Sequence, residues 1–143
     1  MIDKIVKAEK YWLVIAFLIA LLIFIQSNFS SIVTNDQFYK FQFDKITHML
    51  AWAGLSFSLR LGTNTWVMKQ KTKNQYYALL FLIIICSLYG VTDEVHQYFI
   101  PSRSSDLMDV IADSIGSIIG IILGHTMVIL NTKMLSTKND IIQ

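Results

Sequence analysis

The sequence predicts an all-α, polytopic membrane protein: a bundle of four transmembrane helices with both termini in the cytoplasm. Three observations predict it. The chain of 143 residues is 54% hydrophobic and 15% charged, more apolar and less charged than an ordinary soluble domain. Its apolar residues gather into four stretches separated by short polar segments. Its lysines and arginines concentrate in alternate segments, as expected when positive residues are retained on the cytoplasmic side. Four spans of roughly 20 residues use almost the whole chain, so residues 1–143 are expected to form a single membrane domain.

The first span, 11–26, is uncharged and follows Lys4, Lys7 and Lys10. That arrangement also suits a signal peptide, but Gln26-Ser27-Asn28-Phe29-Ser30 offers no Ala-x-Ala type of cleavage site, so an uncleaved anchor is expected. The second span, 46–61, contains His48, Ser56, Ser58 and Arg60 and is the least hydrophobic of the four. The third, 76–98, opens on Tyr76 and Tyr77, residues suited to the membrane interface, and turns polar from Thr92 to Gln97. The fourth, 110–130, is apolar apart from Asp113, serines and His125. Cys86 lies within the third span, where a lone thiol forms no internal disulfide and serves packing.

Nine cations flank the spans on one side: Lys4, Lys7, Lys10, Arg60, Lys69, Lys71, Lys73, Lys133 and Lys138. Lys40, Lys45 and Arg103 make three on the other. The count predicts a multi-pass protein of the cytoplasmic membrane with N-in and C-in topology. The net charge of +2 comes without any block of like charge, so the partner is the lipid bilayer and no nucleic acid is expected.

With that topology, Asp44, Lys45 and His48 open the second helix, and Asp93, Glu94, His96 and Gln97 close the third. Arg103, Asp106 and Asp109 lead into the fourth, all at the extracytoplasmic face. Residues three or four apart share a helical face, so Asp44 stacks with His48, Asp93 with His96 and Gln97, and Asp106 with Asp109 and Asp113. An ionisable group within a span costs about 2.5–3.5 kcal/mol on insertion scales and usually faces the bundle interior. Gly116, Gly120 and Gly124 lie below the acids at every fourth position, a pattern that lets a neighbouring helix approach closely.

Each polar residue also has a plainer reading. Asp106 or Asp109 suits a helix N-cap, His48 and His96 suit satisfied helix positions, and His125 lies near the cytoplasmic end. Pro101 stops the third helix and is expected to set the loop so that Arg103 points back over the bundle. Arginine's planar fork suits a carboxylate or a phosphate.

The ordered set Asp44-Lys45-x-x-His48, Asp93-Glu94-x-x-Gln97, Pro101-x-Arg103, Asp106, Asp109, Asp113 and Gly116-x3-Gly120 resembles the VanZ-like family, over about 44–124. Many similar members carry asparagine where Asp113 stands, and His96 lies outside the family pattern. The resemblance implies a link to resistance to the glycopeptide teicoplanin, which acts on lipid-linked cell-wall precursors outside the membrane. The expected ligand-binding set is therefore Lys45, His48, Asp93, Glu94, Gln97, Arg103, Asp106, Asp109 and Asp113.

Three functions fit these residues. In the first, the cluster binds the anionic head group of a lipid-linked cell-envelope molecule, with Lys45 and Arg103 on phosphate. The excess of carboxylates over cations then leaves room for a divalent cation, although no metal-ligand signature such as His-Glu-x-x-His is present. In the second, a membrane-embedded enzyme uses Asp93 or Glu94 as general base beside His48. In the third, the cluster is a polar latch holding the helices together or docking a partner.

Overall fold

A computed structural model describes the backbone of residues 2–28, 37–101 and 105–142, and the side chains of 8–28, 44–101 and 105–134. Its elements are α1 (Ile2–Ser27), α2 (Gln37–Gly62), the single short turn α3 (Asn64–Met68), α4 (Thr72–Tyr98) and α5 (Leu107–Ile142). No strand occurs among the described residues.

Four long helices are present, but only three are long and apolar enough to cross a membrane: Ala8–Ser27, Thr72–Tyr98 and Leu107–Met134. The expected second span does not qualify, and this corrects the expectation of four. The reason lies in the position of α2, which packs against α5 most extensively and also against α1 and α4. A helix walled by other helices needs little lipid-facing apolar surface and can carry polar residues inward. Ser56, Ser58 and Arg60 of α2 are accordingly buried.

The outer helices show the opposite pattern. On α1, Tyr11, Val14, Phe17, Leu18, Leu22 and Phe24 stand exposed, as suits contact with hydrocarbon rather than water. Helix α5 lies against α2 along its glycine stripe. A Cβ on Gly116 would strike the main-chain carbonyl of Met49, and one on Gly120 the carbonyl of Ala53 and the hydroxyl of Ser56. Small residues are what allow this backbone-to-backbone approach.

Trp52 centres the upper core at 1% exposure. Its Nε1 donates to the carbonyl oxygen of Cys86 at 3.0 Å, and its ring stacks on His48 and on Tyr89, with centroids 5.6 and 5.8 Å away. The Tyr89 hydroxyl donates to the Ala20 carbonyl at 2.8 Å, tying α4 to α1. Cys86 is buried in the same cluster. This core lies immediately below the end of the bundle where the acidic residues gather.

Candidate functional site

The site begins with the start of α5. Asp106 is its N-cap: Oδ1 accepts the amide of Met108 at 2.9 Å, satisfying one of the donors that a helix leaves open at its first turn. Its other oxygen, Oδ2, accepts from Lys45 Nζ of α2 at 2.6 Å. Lys45 also reaches Asp109 Oδ1 at 2.6 Å, so one ammonium joins α2 to two carboxylates of the first turn of α5. The Lys45 hydrogen bond, followed by the Met108 amide, holds the Asp106 carboxyl below its ordinary range.

Helix α4 closes the site from the other side. Glu94 Oε2 accepts the backbone amide of Asp106 at 2.8 Å, while its Oε1 is buried with no hydrogen-bond partner among the described residues. One turn on, Gln97 donates to Asp93 Oδ2 at 2.8 Å. Deeper in the bundle His48 donates from Nδ1 to Asp113 Oδ1 at 3.0 Å, and Asp113 is fully buried. Its second oxygen lies against Gly90, where a Cβ would stand 2.6 Å from it. Glycine at 90 thus makes the space in which a carboxylate can sit between α4 and α5.

Eight of the nine expected ligand residues therefore meet at one end: Lys45, His48, Asp93, Glu94, Gln97, Asp106, Asp109 and Asp113. Arg103, the ninth, lies outside the described residues, and with it the expected placement of its side chain by Pro101. Asp44 joins His48, Asp93 and Gln97 around a cavity of about 40 Å³ that Ser27, Thr47 and Trp52 also line. A water needs roughly 10–15 Å³ by this kind of measure, so the cavity has room for a few waters. His96 turns aside to α1, with Nδ1 3.2 Å from the Ser27 hydroxyl and its ring beside Phe24.

Two features were not read from the sequence. A groove of about 370 Å³ runs between α2 and α5, walled by Ile46, Met49, Met108, Ile111, Ala112 and Ile115, with Lys45 at its polar end. Spacing on each helix alone could not reveal it, because it depends on how far the two helices separate above the glycine stripe. At the opposite end of the bundle Arg60, expected at a loop edge, is fully buried. Its Nη2 donates to His125 Nδ1 at 2.9 Å, so His125 is a partner of Arg60, not an isolated side chain. Only their placement near the C-terminal ends of the second and fourth apolar segments, at a common depth, could have signalled this.

Three of the clustered groups suit a cation. His48, Glu94 and Asp109 come from α2, α4 and α5, and their ligand atoms all lie within 4.8 Å of one another.

A family model described as VanZ/LLP1 matches residues 9–130, from the first helix through most of the last. No curated protein and no solved structure matches the chain.

Proposed function

Since the chain belongs to the VanZ/LLP1 family, we propose that its polar end opens to the extracytoplasmic side of the cytoplasmic membrane and binds the head group of a lipid-linked cell-envelope molecule. The observation that carries this reading is the position of Lys45, which lines the apolar α2/α5 groove and at the same time pairs with Asp106 and Asp109. An amphiphile needs that combination: an apolar trough for its chain, worth about 0.8 kcal/mol per buried methylene, ending at charged groups for its head. Retention of such precursors at the outer face would give the site its bearing on glycopeptide resistance.

The topology belongs to the same proposal. The ends of α2, α4 and α5 that meet in the site carry few cations, and the opposite ends carry most of the lysines, which favours both termini in the cytoplasm. Helix α2 then counts as a fourth crossing, inserted among its three apolar neighbours. Native mass spectrometry of the purified protein tests the binding. Wild type is expected to retain a defined envelope lipid, and Ile115→Trp, which fills the groove from an exposed position, to lose it. Ile122→Trp, exposed elsewhere on α5, should keep it; equal retention by all three would contradict the reading.

A second reading, an enzyme acting on the same class of molecule, is favoured by one observation. His48 is oriented by Asp113 beside a buried Glu94 with a free oxygen, an arrangement suited to moving a proton. Its test is turnover of the lipid that the binding experiment identifies, lost in His48→Ala with the lipid still bound.

A further inference from the structure

We propose that His48, Glu94 and Asp109 form a binding site for a divalent first-row metal ion, Zn2+ or Mn2+, held between α2, α4 and α5. Their ligand atoms lie within 4.8 Å of one another, close enough for small rotamer changes to bring them to a shared centre.

Three independent features point to an ion rather than to a set of mutually satisfied acids. Glu94 is only 3% exposed, and its Oε1 has no hydrogen-bond partner among the described residues. A buried carboxylate oxygen left this way is costly and calls for a group that fills the place. The second feature is the way His48 is held. Its Nδ1 is engaged by the Asp113 carboxylate at 3.0 Å, which leaves Nε2 as the donor atom of the ring. A carboxylate behind a histidine in this manner orients metal-ligating imidazoles and raises their basicity.

The third is charge. In this part of the sequence Asp44, Asp93, Glu94, Asp106, Asp109 and Asp113 outnumber the cations Lys40, Lys45 and Arg103. Lys45 occupies one oxygen of Asp109 and one of Asp106, and Asp109 carries a second oxygen for an ion. One imidazole nitrogen suits zinc and two carboxylates suit manganese. Three protein ligands leave a further position open, as in metal sites that take a water or a substrate oxygen.

The site does not depend on the head-group reading, and its test uses the metal alone. The full-length protein in detergent, stripped with a chelator and dialysed against Zn2+, Mn2+ or Co2+, is analysed for bound metal, and the Co2+ form for its visible absorption. Wild type is expected to retain one ion per chain and to show Co2+ bands of nitrogen and oxygen ligation. His48→Ala and Glu94→Gln should lose the ion. Asp113→Asn should weaken binding by roughly 10–100-fold, the effect of removing an outer partner of a ligand. Lys71→Ala, exposed at the other end, should bind as wild type.

Folded wild type that retains no ion, or no more than Glu94→Gln, overturns the proposal. Where either ligand variant fails to fold, the wild-type Co2+ spectrum and Asp113→Asn decide: featureless absorption or unchanged affinity overturns it equally. Wild type that binds the metal but retains no envelope lipid would overturn the head-group reading instead.

Discussion

Asp106 shows how closely structure and candidate chemistry are interleaved at single residues. One of its oxygens caps α5 and the other holds Lys45, so the plain reading of a helix cap and the functional reading of a charged ligand are both realised in one carboxylate. Replacing it by asparagine keeps a capping oxygen and removes the charge. The Asp106 carboxyl is held below its ordinary value of 3.8 by Lys45 and then by the Met108 amide. A depressed carboxylate adds stability that is fully present above its unfolded value and is lost as pH falls through the folded one. The melting-temperature gap between wild type and Asp106→Asn should therefore stay constant from neutrality to about pH 4 and close below pH 3.8. A gap that already closes between pH 7 and 5 would show that another group carries it. The group is partly exposed, so the gap should be small.

Individual residues were legible to different degrees. The helical spacing and the resemblance brought Lys45, His48, Asp93, Glu94, Gln97, Asp106, Asp109 and Asp113 into one set. Neither told which acid pairs with which base. Lys45 bonding to Asp106 and Asp109, and His48 to Asp113, depends on the rotation and height of α2 against α5, which periodicity within one helix does not encode. The partners of Arg60 were hidden for the same reason: its place at the end of an apolar run does not show that His125, Asn64 and Met68 lie against it.

At the scale of elements, α2 determines the arrangement. Average hydropathy treats every span as though it faced lipid, and α2 fails that standard because it lies among α1, α4 and α5. Its packing among them, not its composition, accounts for the polar residues it carries inward. The glycine stripe of α5 was legible as a packing surface, since small residues every fourth position have few other uses, but its partner was not. The Gly116 and Gly120 contacts with the α2 backbone identify it. Gly116→Val should therefore separate the two helices, costing about 1–3 kcal/mol or more as overpacking does, read as a lower thermal midpoint in detergent. Gly54→Ala, whose Cβ would sit 3.8 Å from Ile19, should leave the midpoint nearly unchanged. Equal effects at the two positions would argue against α2 and α5 as the closely packed pair.

Across the whole molecule, charge and polarity divide between the two ends of one bundle. The acids, Lys45 and His48 meet where α2 and α5 begin and α4 finishes, while Arg60 and His125 meet at the other end beside the lysine-bearing turn between α3 and α4. The sequence carries this division plainly, because alternation along the chain becomes opposition in space once the helices run antiparallel. Which end faces outward decides what the polar site can bind. Cysteine placed at the exposed Pro101 or the exposed Lys71, in a Cys86→Ser background, can be labelled in intact cells with a membrane-impermeant maleimide. The proposed topology predicts labelling of Pro101→Cys from outside and of Lys71→Cys only after permeabilisation; the reverse pattern would place the polar site in the cytoplasm and contradict its role in binding an external envelope lipid.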